Sequence, residues 1–345
     1  MPRVERRARV GRWALALLVA LAAGTLCAAL RTPIPWMLGP LFSIALLRVT
    51  GAPVDAPLPA RYVGQWIIGT SLGLYFTPYV VHEVAGLWYL LVAGAVFAIA
   101  LGYVSGIALA RMTGLDKTTG IFASVPGGAA EMATLGERFG GRMDSIAAAQ
   151  SLRILIVVAI VPAAITELGV HGSDPYVQGA KAFDAGGFAF QAIGLPNAFV
   201  LGSLAVAIPL TALTIDLSAM PSLASNAGQL LLGCALGARF RPDFLRGAHR
   251  FVGAVVATVL LSIVLSAAFG VGLAWATGQH PATLVLGNAP GGIAEMCITA
   301  KVLQLGVPVV TAFHVTRLVV LLLATPLVFV RVRRWYRARG KRGPS

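Results

Sequence analysis

Apolar residues fill long runs of this chain, and short polar connections separate the runs. A helix rises about 1.5 Å per residue and the hydrocarbon core of a bilayer is ~30 Å thick, so runs of this length cross or partly cross a membrane. The segments predicted to do so are Trp13–Leu30, Ile34–Val49, Tyr62–Val80, Val84–Met112, Ile146–Leu168, Asn197–Leu217, Gly228–Phe240, Phe251–Thr277 and Val307–Val330. The pattern therefore predicts an all-α, polytopic membrane protein.

A short pattern containing Pro-Gly-Gly occurs twice within these apolar surroundings. Ser124–Met132 reads SVPGGAAEM, and Asn288–Met296 reads NAPGGIAEM. Pro290 follows Pro126 by 164 positions (290 − 126), and other identities recur at the same offset. They include Gly64-Gln65 with Gly228-Gln229, Gly69 with Gly233, Gly73 with Gly237, Phe76 with Phe240, Arg153 with Arg317 and Pro162 with Pro326. The chain is thus a tandem duplication.

Each copy of the pattern predicts a broken helix, which ends near Val125 or Ala289 and restarts near Ala129 or Ile293. Proline lacks a backbone N–H and clashes with the preceding turn, while two glycines permit irregular backbone geometry. The freed backbone groups cannot face lipid, so each break must be buried in protein or line a wet cavity. A break in both halves of a duplication favours a substrate site, and a packing kink is the alternative. The candidate site residues from this motif are Pro126, Gly127, Gly128, Pro290, Gly291 and Gly292.

A glutamate follows each break within one helical turn. Glu131 and Glu295 occupy these two positions. A carboxylate there interacts favourably with the positive end of the new helix, so a structural cap is one interpretation. Acidic residues within membrane segments are costly and typically mark ion, proton or substrate pathways, so we also treat both glutamates as candidate site residues.

An arginine lies within the apolar run that follows each glutamate. Arg153 and Arg317 each come about ten residues into a predicted span, which places them roughly 15 Å deep, near the midplane. Two compatible interpretations stay open: a Glu–Arg pair that fixes the hairpin to the next helix, and an arginine that binds an anionic substrate. His314 lies one turn before Arg317 and aligns with Gln150, so it is also a candidate for the site.

The composition excludes an ordinary soluble domain and adds information on topology. Hydrophobic residues make up 57% of the chain and charged residues only 12%, yet the net charge is +14. The basic residues cluster in segments 1–12 and 331–345 and in the loop from Arg239 to Arg250. Basic segments flanking spans typically face the cytoplasm, so both termini are predicted to be cytoplasmic and the number of spans even.

Two loops at equivalent positions of the repeats differ in charge. The loop Phe76–Glu83 has no Lys or Arg, whereas its counterpart beginning at Arg239 is basic. Equivalent loops on opposite sides of a membrane predict inverted repeats. The resulting expectation is ten spans plus two re-entrant hairpins, the first over Asp116–Gly141. The ten include a weak span near Phe183–Ile193, and without it the count is nine.

The same reasoning divides the chain into five parts. We expect a basic cytoplasmic tail over residues 1–12, a first membrane repeat over 13–168 and a linker over 169–182. A second membrane repeat over 183–330 and a basic cytoplasmic tail over 331–345 complete the chain.

With its doubled Pro-Gly-Gly-x-Ala-Glu-Met motif and the arginine-containing spans that follow, the chain resembles the AbrB family of bacterial membrane proteins, defined by the AbrB duplication. The resemblance covers about Trp13 to Val330. It implies an integral protein of the bacterial inner membrane with a link to control of gene expression. Members are labelled as transcriptional regulators or as ammonia monooxygenases.

The residues favour a transport function over both labels. The histidines and cysteines show no metal-ligand spacing, and we predict no cofactor, no metal site and no enzymatic activity. The basic tails are too short for a DNA-reading module, so no direct contact with nucleic acid is expected. We predict a secondary transporter or permease that contacts the lipid bilayer and moves a small solute, with an anion favoured and a proton as the coupling ion. The alternatives are a membrane regulator that does not transport and, more weakly, a monooxygenase-type enzyme.

Overall fold

A computed structural model describes residues 3–172, 198–213, 220–240, 249–321 and 323, and this part of the chain contains α-helices and no β-strand. The helices are α1 (Arg3–Ala29), α2 (Pro35–Val49), α3 (Leu58–Gly73), α4 (Pro78–Gly86), α5 (Trp88–Thr113), α6 (Lys117–Ser124), α7 (Ala129–Arg138), α8 (Met143–Glu167), α9 (Ala198–Ala212), α10 (Ser222–Gly237), α11 (His249–Thr277), α12 (Pro281–Asn288), α13 (Ile293–Val302) and α14 (Val307–Leu321). The predicted all-α class is confirmed.

Four helices are long and apolar enough to cross a membrane. They are the part of α1 from Val10 to Ala29, α5, α8 and α11. Helices α2, α3, α9 and α10 have 15 or 16 residues each, fewer than the ~20 that span a bilayer without tilt or thinning. The count of ten spans stays a prediction, because the weak span Phe183–Ile193 and most of the linker 169–182 lie outside the described residues.

The duplication of the sequence extends to the bounds of the helices. At the offset of 164 positions, α3 coincides with α10, α6 with α12 and α7 with α13, at both ends of each helix. Helix α2 coincides with α9 to within one residue. Each repeat therefore contains the same succession of long and broken helices.

Equivalent helices cross one another in antiparallel directions. On α5 and α11, Phe97 stacks on Phe269 with ring centroids 3.9 Å apart, and the hydroxyl groups of Ser105 and Ser262 lie 3.1 Å apart. From Phe97 to Ser105 the residue number rises along α5, while that of the contacting residue on α11 falls from 269 to 262. The two helices therefore run in opposite directions. This pair of contacts places α5 against α11 along a buried seam.

Helices α3 and α10 approach so closely that there is no room for a side chain on Gly64, where they cross. A Cβ atom built on Gly64 would lie 2.9 Å from the carbonyl oxygen of Gly228, its own equivalent in the second repeat. Likewise, a Cβ atom on Gly233 would lie 2.6 Å from the carbonyl oxygen of Met37 on α2. Small residues thus allow α2, α3 and α10 to pack at backbone distance.

One predicted span is wrong in its extent. The run Tyr62–Val80 does not form a single helix, because α3 ends at Gly73 and α4 begins at Pro78. Thr77 caps the new helix by accepting a hydrogen bond from the backbone N–H of Val80, and Pro78 suits the first helical position. The predicted loop Phe76–Glu83 is consequently mostly helical.

Candidate functional site

Both helices break at the positions that the sequence predicts. Helix α6 ends at Ser124 and α7 begins at Ala129, while α12 ends at Asn288 and α13 begins at Ile293. The residue before each proline is extended, with φ −62° and ψ 129° at Val125. Because proline disfavours helical geometry in its predecessor, the chain leaves the helix at this point. We call residues 125–128 the first break and residues 289–292 the second break.

The first glycine of each break makes room for a methionine. A Cβ atom on Gly127 would lie 2.7 Å from Cγ of Met132, and one on Gly291 would lie 2.7 Å from Cγ of Met296. Both methionines are completely buried. Each methionine therefore packs across its own break, at a distance that only glycine tolerates.

The second glycine makes room for the glutamate. Gly128 and Gly292 are the N-cap residues of α7 and α13, and a Cβ atom on either would collide with the carboxylate of Glu131 or Glu295. Each carboxylate thus folds back over the start of its own helix, and that of Glu295 accepts a hydrogen bond from its own backbone amide. A negative charge at this end stabilises the helix, which fits the capping interpretation.

Arg153 reaches from α8 back to the first break. Its Nη1 donates to the carbonyl oxygen of Val125 at 3.0 Å, and its Nη2 donates to that of Gly127 at 3.3 Å. These carbonyl groups lie beyond the end of α6 and accept no helical hydrogen bond, although that of Val125 also accepts from the backbone N–H of Gly127 at 2.9 Å. Nη1 also donates to the carbonyl oxygen of Ser124 at 3.5 Å. The guanidinium therefore satisfies acceptors that the break leaves open, and its positive charge suits the C-terminal end of α6.

Arg317 makes the equivalent contacts in the second repeat at shorter distances. Its Nη1 donates to the carbonyl oxygen of Ala289 at 2.7 Å, and its Nη2 donates to that of Gly291 at 2.6 Å. Arg153 and Arg317 are almost entirely buried, with 3% and 5% of their surface exposed. Both arginines thus tie a broken helix to the helix that follows it.

A second side chain joins each arginine at the break. Gln150 donates from Nε2 to the carbonyl oxygens of Phe122, at 2.7 Å, and Val125, at 2.9 Å. His314, its equivalent, contacts the carbonyl oxygen of Leu286 through Nε2 at 3.0 Å. Gln150 and His314 thus both contact carbonyl oxygens at the end of the half-helix that precedes the break, as the arginines do.

The hydrogen bonds of His314 define its tautomer. Nη2 of Arg317 lies 2.8 Å from Nδ1 of the imidazole. Since a guanidinium can only donate, Nδ1 must accept, and Nε2 must carry the proton that is donated to Leu286. His314 is therefore a neutral imidazole in this arrangement.

Each hairpin closes at its base through one threonine. The backbone N–H of Arg142 donates to Oγ1 of Thr119 at 2.8 Å, which joins the start of α6 to the start of α8. The backbone N–H of Gly306 donates to Oγ1 of Thr283 at 3.2 Å in the same way. The two half-helices of each hairpin thus leave from and return to the same end of the molecule.

Both breaks line a single cavity of about 80 Å³, which we call the inner cavity. One water needs ~10–15 Å³ of such space, so the inner cavity has room for several waters or a small solute. Of the candidate residues from the sequence, Glu131 and Pro290 do not form part of its wall. Those that do are Pro126, Gly127, Gly128, Arg153, Gly291, Gly292, Glu295, His314 and Arg317.

Two further arginines line the inner cavity, and the sequence reasoning missed both. Arg61 stands in the first turn of α3, and Arg239 follows the end of α10. Glu295 interacts electrostatically with these two arginines and with Arg153, and Arg239 interacts with Glu131 as well. From sequence alone Arg239 looks like one more basic loop residue. Arg61 carries a weak sequence signal, because it is a charged residue at the start of a Gly-rich apolar helix.

A larger space adjoins the inner cavity. This outer vestibule has a volume of about 620 Å³ and shares Arg61, Ala235 and Arg239 with the inner cavity. It extends to the exposed residues Arg12 and Asp55. The two additional arginines therefore stand between the inner cavity and a space that reaches the surface.

Within the described part of the chain, no group of three or more His, Cys, Asp or Glu side chains is placed to hold a metal ion. Cys297 is buried near this region and accepts a hydrogen bond from Thr311 at 3.2 Å, as a structural thiol does.

Comparisons with known proteins identify relatives over nearly the whole chain. A Bacillus subtilis (strain 168) protein, described as "Uncharacterized protein YhjN", is 25% identical over 337 residues, which cover 85% of this chain and 86% of the relative. An Escherichia coli (strain K12) protein, described as "Putative regulator AbrB", is 22% identical over 336 residues, with 92% and 95% coverage. No solved structure matches. The family model "Transition state regulatory protein AbrB" matches residues 36–333, and the chain therefore belongs to the AbrB family.

Proposed function

We propose that this protein is a secondary transporter of a small anionic solute in the bacterial inner membrane. The observation that carries the proposal is the inner cavity, whose wall includes both breaks and four arginines. Broken helices that meet around a polar space within an apolar helical protein are the usual binding arrangement of secondary transporters. The proposal assigns no enzymatic step, no cofactor and no direct contact with nucleic acid to the chain.

Inverted repeats are part of the same proposal. The antiparallel crossing of α5 and α11 supports them, because equivalent helices that both cross a membrane in opposite directions belong to repeats of opposite orientation. On this proposal both termini are cytoplasmic, which the basic residues of segments 1–12 and 331–345 support.

Cysteine labelling tests the orientation. In a variant with Cys27, Cys234 and Cys297 replaced by serine, single cysteines are placed at Tyr79 and at Arg246. We expect an impermeant maleimide to label these two sites from opposite sides of the inner membrane. Labelling of both from the same side would rule out the inverted arrangement.

A proton is proposed as the coupling ion, with Glu295 as its carrier. This carboxylate lies in the wall of the inner cavity and faces the charges of Arg61, Arg153 and Arg239. The neighbouring Cys297 also interacts with it electrostatically, whereas His314 is neutral. An entering anion competes with the carboxylate for the arginines, so binding of the anion favours protonation of Glu295. Anion and proton would then move together.

Uptake into proteoliposomes tests the transport proposal. We expect the purified full chain to accumulate a radiolabelled small anion, such as malonate, when the pH outside is lower than the pH inside. The Glu295→Gln variant should lose the dependence of uptake on the pH gradient, because the amide cannot carry a proton. Glu167→Gln is the matched control, since Glu167 is exposed at the end of α8. Absence of uptake for every small anion would contradict the transport proposal, and uptake that does not depend on the pH gradient would contradict proton coupling.

A regulator that binds a solute without moving it is the second candidate. The description of the Escherichia coli relative favours a role in regulation. On our proposal any effect on gene expression is indirect, through the solute that the protein transports. Anion binding by the purified protein without uptake into proteoliposomes would favour the regulator instead.

A further inference from the structure

We infer that Arg61 and Arg239 form a clamp for a small dianion at the junction of the inner cavity and the outer vestibule. The inference rests on the proposed function and deepens it, because it names the residues that select the solute and the charge that the solute carries.

The two arginines occupy the one place where both spaces meet. Each lines the inner cavity and the outer vestibule, and each is half-buried. Their positive charges interact with each other, which is unfavourable unless a negative charge lies between them. Glu295 supplies part of that charge from the second hairpin. A bound anion would supply the rest.

The clamp differs from the two deeper arginines in what its donors contact. Arg153 and Arg317 donate to carbonyl groups of the breaks, so most of their donors are occupied within the protein. Arg153 nevertheless retains one buried donor, Nε, without a hydrogen-bond partner in the described part of the chain. A ligand seated between the clamp and Arg153 would find three guanidinium groups, each with the planar fork that binds carboxylate, sulfate or phosphate oxygens.

Counting charges indicates the valence of the ligand. Four arginines line the inner cavity, and two carboxylates interact with them, namely Glu295 in the wall and Glu131 through Arg239. Two positive charges therefore remain without compensation when both carboxylates are ionised. A dianion neutralises both charges, whereas a monoanion leaves one buried positive charge. When Glu295 takes up its proton, three positive charges remain and the preference for a dianion increases.

The volume limits the ligand to a small one. An inner cavity of about 80 Å³ holds a few water-sized groups, which fits a short dicarboxylate or an inorganic dianion rather than a nucleotide or a sugar phosphate. The wider vestibule outside the clamp admits such an anion from the surface.

Comparison of the repeats shows that the clamp is not part of the duplication. Ser225 stands at the position equivalent to Arg61, and Tyr75 at the position equivalent to Arg239. Both of these neutral residues are buried, with 5% and 8% of their surface exposed. The two charges are therefore not required by the duplicated scaffold, and a ligand that binds between them explains their presence.

Equilibrium binding to the purified full chain in detergent tests the inference. Titration calorimetry is carried out with malonate, succinate, sulfate and phosphate as dianions, and with acetate and chloride as monoanions. We expect at least one dianion to bind at least ~10-fold more tightly than acetate. Arg61→Gln and Arg239→Gln should each weaken that binding at least ~10-fold, and Arg61→Lys should weaken it less, because a lysine keeps the charge but loses the fork.

The control for the lost charge is Arg111→Gln, because Arg111 is exposed near the end of α5 and lies outside both spaces. We expect wild-type affinity in this control and wild-type melting temperatures in all variants. A lowered melting temperature would identify a clamp variant that misfolds. In that case the affinity of Arg61→Lys, measured at wild-type stability, decides the test.

The outcomes separate the clamp from the transporter. Uptake of malonate by the wild type together with unchanged binding in both clamp variants would overturn the clamp and leave the transporter in place. Equal affinity for acetate and every dianion would overturn the assigned valence. If the wild type binds none of the six anions, the clamp is wrong, and if it also takes up none of them, the transport proposal fails as well.

Discussion

The two breaks are alike in their internal contacts and unlike in their surroundings. Arg153 and Arg317 donate to equivalent carbonyl groups, and Gln150 and His314 serve equivalent acceptors. The charges at the mouth of the inner cavity, in contrast, occur on one side only. The comparison teaches that the duplication retains what any buried break requires, namely partners for its open carbonyl groups, whereas the two charges at the mouth of the cavity, Arg61 and Arg239, have no counterpart in the other repeat.

The hairpins also differ in their burial. Eight of the ten residues of α13, Ile293 to Ala300, are buried. In α7, Thr134 and Glu137 are exposed. Helix α13 packs against α3, and the side-chain amine of Lys301 on α13 donates to the hydroxyl of Ser71 on α3 at 3.2 Å. The molecule is therefore packed more tightly around the second hairpin than around the first.

The largest expected effect comes from removing the arginine of the second break. Arg317→Gln leaves two buried carbonyl groups, those of Ala289 and Gly291, without their donor, at about 1–3 kcal/mol each. Arg153→Gln should cost less, because Gln150 still donates to Val125 and the contacts that are lost to Gly127 and Ser124 are longer, at 3.3 and 3.5 Å. Melting temperatures in detergent should fall for both variants, and more for Arg317→Gln.

Equal destabilisation by the two arginine variants would contradict this difference between the breaks. Unchanged melting temperatures in both variants would show that the contacts with the carbonyl groups contribute little to stability. Binding of the anion would then be the favoured role of these arginines.

A smaller effect is expected from a methyl group at the second glycine. Gly128→Ala and Gly292→Ala force the capping carboxylate out of its place, which should lower the free energy of unfolding by about 1–3 kcal/mol. Adding Glu295→Ala to Gly292→Ala removes the collision, so the double variant should be more stable than the additive expectation. Gly253→Ala is the control, since nothing lies within 4 Å of its built Cβ atom. Strictly additive effects would mean that the carboxylate does not pack there.

The smallest effect is expected when His314 is replaced by glutamine, the residue at the equivalent position of the first repeat. His314→Gln should cost less than ~1.5 kcal/mol, because glutamine can serve the carbonyl of Leu286 as Gln150 serves that of Phe122. Uptake should stay close to that of the wild type. Loss of uptake at an unchanged melting temperature would instead show that His314 has a role in the site that Gln150 lacks.

The breaks could be predicted from the sequence because their cause is local. Proline and the extended residue before it end the helix wherever the fold places them, so Val125 and Ala129 could be identified without knowing any neighbour. The break between α3 and α4 was missed since its signals, Gly73 and Pro78, lie in a run whose hydropathy alone indicates one span. Glycine and proline spaced five positions apart are a weaker signal than the contiguous Pro-Gly-Gly.

The candidate site was predictable only in part, for a different reason. Glu295 and Arg317 stand out as charges within apolar runs, and both line the inner cavity. Arg61 and Arg239 are far apart in the sequence, and only the packing of α3 against α10 brings them to one cavity. A charge near the end of a helix indicates topology as readily as it indicates a site. The sequence therefore offered no reason to assign Arg61 and Arg239 to one site.

The crossing of Gly64 with Gly228 has a mechanical consequence. A residue that touches its own equivalent must lie close to the axis that relates the repeats, and here the contact is between backbones. When two bodies rock about an axis, atoms move in proportion to their distance from it. On the transport proposal, this crossing therefore lies near the pivot of any rotation of one repeat against the other, and its contact is preserved while residues farther from the axis move.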